Sequence, residues 1–171
     1  MVLTLAAVVL AVATYRTSHG YLLPDAAATP GVVATTDRRE LCSTKWGRDA
    51  RAVTVAMKRA ACEAYGLKCP LPRRAGKPGT QCSGDPAICA DGVEIDHLCS
   101  RENCGRADDV RNLWPQPWKE ARAKDVVENR LHRAICSGEM APADAQKILT
   151  TDWTTGLDGP VSAGAGSAAG K

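Results

Sequence analysis

An α+β fold is what this sequence predicts: one helix-rich domain, stapled by disulfides, around a strand–loop–strand–helix unit. Three observations carry that reading. The segment Val93-Glu94-Ile95-Asp96-His97-Leu98 alternates apolar and polar residues, as a half-buried strand does. Between Trp118 and Cys136, Val127, Leu131, Ala134 and Ile135 recur at helical spacing and form an apolar stripe. Eight cysteines are scattered through the chain, an even number that suits disulfides in an oxidising compartment. No two of them have the two-residue spacing of a zinc knuckle.

The 171 residues suffice for one domain with a sizeable core but not for two. A charged fraction of 24% and a hydrophobic fraction of 44% are those of an ordinary globular chain and exclude a disordered one. Phenylalanine is absent, so four Trp and three Tyr supply the large packing surfaces. The net charge of +3 permits a polyanionic partner without arguing for one. Lys68, Arg73, Arg74 and Lys77 cluster in a Pro/Gly-rich loop. They suit phosphate contacts or plain solvation equally.

The elements follow in order. Val2 to Thr14 is apolar, too short to span a bilayer, and ends near Ala11-Val12-Ala13. Residues 1–20 therefore read as a signal peptide, although no Lys or Arg precedes the apolar run. Secretion or export to a periplasm is expected, with no membrane contact in the mature form. Residues 21–40 are Ala/Thr/Pro/Gly-rich and read as a linker; the domain proper is expected over 41–153. Val53 to Tyr65 has helical spacing with Gly66 as its stop. Residues 66–92 read as a long loop with Pro70, Pro72, Pro78 and Pro86, which Cys69, Cys82 and Cys89 could tie down. Val93 to Cys99 is the first strand, residues 100–109 a polar turn, and Arg111 to Trp114 a short second strand. The helix from Trp118 ends at Ser137-Gly138. A second helix spans Met140 to Trp153, with Pro142 and Asp144 in its first turn. Residues 154–171 are Gly/Ala/Ser-rich and read as a disordered tail.

The chemistry concentrates on Asp96-His97, on Asn112 fifteen residues later, and on the helix residues Lys124, Asp125, Glu128 and His132. Together with the strings Asn112-Leu113-Trp114-Pro115, Lys124-Asp125, Glu128-Asn129, Leu131-His132 and Cys136-Ser137-Gly138, this layout resembles the HNH endonuclease family with its ββα-metal motif. More narrowly, it looks like the small exported members of that family. The resemblance runs from about Leu41 to Trp153. It implies metal-dependent hydrolysis of phosphodiester bonds in DNA, or in RNA, mostly through backbone contacts and so with low sequence specificity.

In that reading Asp96 is a metal ligand and His97 the general base. Asn112 would accept the proton on one imidazole nitrogen and aim the other at water. One divalent ion is implied: Mg²⁺, Mn²⁺, Ni²⁺ or Zn²⁺. It would neutralise charge at phosphorus and at the leaving oxygen. Adjacent strand residues face opposite ways, so Asp96 and His97 need a strand end or bend to act together. About nine residues after Asn112, where many family members carry His or Asn, this chain has Ala121. The remaining donors are Asp125 and Glu128, with Glu120 behind them. The rival reading is an exposed helix face on which Lys124 and Glu128 pair four apart. His132 reads as a packed or hydrogen-bonded residue. Arg48, Arg51, Lys58 and Lys124 are candidate phosphate contacts or solvated charges.

The resemblance also implies a Cys42–Cys136 disulfide. Cys99 and Cys104 flank the turn after His97, where a bridge would stiffen the loop; the alternative for Cys99 is a buried thiol. Proximity suggests Cys82 with Cys89 and Cys62 with Cys69. Two other functions compete: a degenerate HNH-type domain that binds nucleic acid without cutting it, and a secreted cysteine-rich effector.

Overall fold

The computed structural model describes residues 15–43, 53–70, 80–103 and 105–158. Helices and two small antiparallel sheets make up the described chain. In order they are β1 (Tyr15–Arg16), β2 (Leu22–Leu23), α1 (Arg38–Ser43), α2 (Val55–Ala64) and α3 (Pro86–Cys89). Then come β3 (Val93–His97), β4 (Leu113–Pro117), α4 (Trp118–Ser137) and α5 (Pro142–Asp152).

The alternating segment becomes β3 and pairs antiparallel with β4, Asp96 opposite Trp114 and His97 opposite Leu113. The second strand lies two or three residues later than its composition suggests. Residues Val110–Asn112 form a 3₁₀ turn, and Pro115 and Pro117 lie inside the strand. A two-stranded sheet tolerates them because each strand has a free edge, where a missing N–H breaks no ladder bond. β4 runs directly into α4 beside Val93, and the helix folds back along the hairpin so that Lys124 reaches Asp96 and His97 at its other end.

α4 buries Val127, Leu131 and Ile135 in a core completed by Leu41, Leu149 and Trp153. Each such side chain contributes about 1.5–3 kcal/mol by leaving water. The helix ends at Gly138, whose φ of 87° is a left-handed cap that glycine adopts without penalty. A second core gathers Leu22, Tyr65, Leu67, Ile88, Val93 and Trp114 beneath the hairpin.

Three expectations need correction. Residues 21–40 are no free linker. Leu22, Leu23 and Thr29 are buried. The Gly31 N–H donates to the Arg111 carbonyl, and the Arg106 N–H to the Val32 carbonyl. Short extended segments of this kind carry no periodicity, so composition alone misplaces them. The region 66–92 is more ordered than a loop where it is described: it holds α3 and the bridges Lys68–Ser83 and Thr80–Val93. At the other end, Trp153–Leu157 forms a 3₁₀ helix with Thr154 and Gly156 buried. Residues 154–158 thus belong to the folded body, and 159–171 lie outside the described residues.

Among the described residues three disulfides form: Cys42–Cys136, Cys62–Cys69 and Cys82–Cys89. The Cys99–Cys104 bridge does not. Cys99 is a buried free thiol that donates to the Asn103 carbonyl at 3.5 Å, and Cys104 lies outside the described residues. Among those residues no helix is long and apolar enough to cross a membrane.

Candidate functional site at the hairpin–helix corner

β3 runs from Val93, opposite Pro117 where β4 turns into α4, to His97 at the other end of the hairpin, opposite Leu113. There α4 folds back and meets Asp96 and His97 through Lys124, forming a corner between strand end and helix. The surprise there is Lys124. It is fully buried, at 0% exposure, and all three of its ammonium protons are used. Nζ donates to Asp96 Oδ2 at 2.8 Å, to the His97 carbonyl at 2.7 Å and to Glu128 Oε1. Burial alone would lower its pKa. The charges of Asp96 and Glu128 more than reverse that, so the ammonium sits above the ordinary lysine value. Burial likewise drives the Glu128 carboxyl well above its usual range, against the pull of Lys124. An unpaired ion at such depth would be costly, so the contacts are obligatory.

This geometry reassigns several residues. Lys124 is enclosed and cannot reach a substrate phosphate. Glu128, proposed as a metal ligand, is committed to Lys124. Glu120 serves the N-terminal hairpin: its Oε2 accepts the Leu22 N–H at 2.7 Å. His132 donates within the fold, its Nδ1 lying 2.8 Å from the Glu102 carbonyl. Because a carbonyl only accepts, Nδ1 carries the proton. Arg48 and Arg51 lie outside the described residues. Lys58 is half-buried on α2, which packs against β3, β4 and the Val110–Asn112 turn.

Asp125 remains, near enough for its charge and that of Asp96 to interact. Its side chain is about half exposed (49%) and lies 3.4 Å from Arg122 Nη1. Burial and then the Asp96 charge raise its pKa, opposed by Arg122 and Lys124. Glu94 is raised in the same way, first by burial and then by Asp96 and Asp125. Three carboxylates therefore share one field. Glu94 was visible in the sequence only as the polar half of the alternation.

His97 lies at the strand end. Its Nε2 is 3.2 Å from the Ala107 carbonyl, so Nε2 carries the proton and Nδ1 keeps the lone pair. Burial lowers the imidazole pKa, and Lys124 adds to the effect, against the Ala107 bond and the Asp96 charge. Burial and the Lys124 charge both favour the neutral ring.

Ala107, not Asn112, orients that ring. Asn112 is fully buried and acts one step back. Its Nδ2 donates to the carbonyls of Cys99 and Arg106, both at 3.0 Å. Its Oδ1 accepts from Cys99 N at 3.0 Å and Val32 N at 3.4 Å. The side chain clamps the loop that delivers Ala107. Gly105 completes the clamp, since a Cβ there would stand 1.7 Å from the Cys99 carbonyl oxygen. Replacing Asn112 by alanine strands buried groups on that loop and is expected to cost about 2–4 kcal/mol. Urea unfolding of the Asn112→Ala variant measures it. A cost under about 1 kcal/mol would contradict the clamp.

The donor set also bears on the metal. Among the described residues no group of three or more His, Cys, Asp or Glu side chains is placed to hold an ion. A catalytic zinc site takes three protein ligands, and the corner does not offer them. Mg²⁺ keeps several waters and needs one or two carboxylates plus substrate phosphate. Asp96, whose Oδ2 is held by Lys124, and Asp125, whose charge interacts with it, are the carboxylates that such an ion would use. The chain matches no family model, no curated protein and no solved structure.

Proposed function

We propose that this chain is an exported, HNH-type endonuclease that hydrolyses phosphodiester bonds of DNA or RNA at the hairpin–helix corner. One observation carries the reading: a tautomer-fixed His97, favoured neutral by burial, stands at a strand end next to Asp96, with the Asp125 charge on α4 near enough to interact. His97 Nδ1 takes the proton from attacking water. Ala107 holds the ring so that this nitrogen stays unprotonated, and Asn112 holds Ala107. Asp96 and Asp125 would hold one Mg²⁺ or Mn²⁺, which when bound would offset the charge that builds on the phosphate. Three disulfides suit an oxidising compartment.

A second reading, binding of nucleic acid without cleavage, draws support from the commitment of Glu128 to Lys124. Plasmid and RNA cleavage in Mg²⁺ or Mn²⁺, with EDTA as control, separates the two. The nuclease reading expects metal-dependent nicking that weakens steeply with salt. Binding with no nicking in any metal overturns it in favour of the second.

The pH dependence has a fixed sign. Burial lowers the His97 pKa from 6.5, so the base form survives further into acid. The acid limb of kcat/KM is therefore expected below the ordinary histidine value. A limb above it would contradict His97 as base.

A further inference from the structure

Lys124 is unused by the chemistry just described, although it is the most completely enclosed charge at the corner. It fills the space between two carboxylates on different elements, Asp96 of β3 and Glu128 of α4. It also grips the main chain of His97, by the carbonyl at 2.7 Å. Asp96 Oδ2 is thus occupied; among the described residues Oδ1 has no such partner. Its side chain is 20% exposed, whereas that of Lys124 is 0% exposed. The Asp96 carboxylate is closed on its Oδ2 side by the ammonium and keeps partial exposure.

We propose that Lys124 is a positioning residue: its ammonium takes the place a second cation would occupy between Asp96 and Glu128, and leaves Asp96 a single oxygen to offer outward beside His97. The inference rests on the nuclease reading above for its link to turnover, but its effect on cation binding does not need that reading. Two carboxylates facing one gap attract whichever cation fits. A covalently tethered ammonium fills the gap permanently and excludes a divalent ion from between Asp96 and Glu128. The same three bonds fix Asp96 and the end of β3 to α4, so both groups keep one geometry. Outer partners of this kind change metal affinity or activity by about 10–100-fold when removed.

Removing the ammonium should have two opposite effects. In Lys124→Met the carboxylates of Asp96 and Glu128 face each other without a cation, and Mn²⁺ can enter between them. Mn²⁺ affinity, read by electron paramagnetic resonance of the free ion, is expected to rise about tenfold. The ion is then held away from His97, so kcat is expected to fall by at least about tenfold with KM little changed. A purely structural role for Lys124 predicts no tighter Mn²⁺ binding. Because Lys124→Met can fail to fold without metal, the Lys124→Met/Glu128→Gln double variant provides a second measurement. It lacks the facing pair of charges, so its Mn²⁺ affinity should stay within about threefold of the parent while kcat still falls at least about tenfold. Mn²⁺ binding by Lys124→Met no tighter than by the parent overturns the proposal, as does a folded double variant with parental kcat. If the parent cleaves nothing in any metal, the nuclease reading fails, and the Mn²⁺ comparison alone decides the role of Lys124.

Discussion

His97→Ala is expected to lower kcat/KM by about 10²–10⁴-fold while leaving the fold intact. The magnitude is that of a lost general base. The structural silence follows from how little the ring holds together. Among the described residues it makes one hydrogen bond, to Ala107 at 3.2 Å, and β3 keeps its register through main-chain pairing with β4. The thermal midpoint should move by no more than about 4 °C, the shift that 1 kcal/mol produces in a domain of this size. The contrast with Asn112→Ala is informative. That variant should lose stability first and activity through the displaced Ala107 carbonyl, because its side chain makes four loop contacts and none to His97. A His97→Ala protein as active as the parent would remove the imidazole from the mechanism.

Breaking Cys42–Cys136 should have the largest effect on stability. The bridge joins residues 94 apart, tying α1 to the last turn of α4. In the chain-entropy model closure of such a loop is worth about 4–5 kcal/mol. The double Cys42→Ala/Cys136→Ala variant is therefore expected to lower the thermal midpoint by about 10–20 °C. The short bridges, each spanning seven residues, close smaller loops and should contribute less. Calorimetry of the variant with the other two bridges intact measures the difference. A midpoint within about 3 °C of the parent would show that α1 packing, through buried Leu41, suffices without the bridge.

Much of this architecture was legible in the chain, and the misses have physical causes. Alternation located β3 because Val93 and Ile95 pack against the core. The stripe of Val127, Leu131 and Ile135 located α4 because the helix packs on one side. β4 was displaced because Pro115 and Pro117 read as breakers, yet an edge position tolerates both. The 21–40 segment looked like a linker because extended chain pinned by main-chain hydrogen bonds has no side-chain period to detect.

The role of Lys124 was within reach. It lies three residues after buried Ala121 and seven before buried Leu131, on the same stripe. A lysine and a glutamate four apart inside an apolar stripe signal an enclosed ion pair rather than a solvated one. The switch from Asn112 to Ala107 was not legible at all. A main-chain carbonyl has no side-chain identity, and its position depends on a loop clamped by Asn112 and Gly105. Cys99 as a thiol was one of two open readings. Its sulfur turns into the buried turn toward Asn103.

The most direct measurement is a crystal structure with Mn²⁺ and a duplex oligonucleotide whose scissile phosphate resists hydrolysis. Anomalous scattering should place one manganese against the outer oxygen of Asp96, with a phosphate within reach of His97 Nδ1 and Lys124 still enclosed. Manganese and phosphate bound elsewhere, with the Asp96–His97 corner empty and dry, would contradict the account.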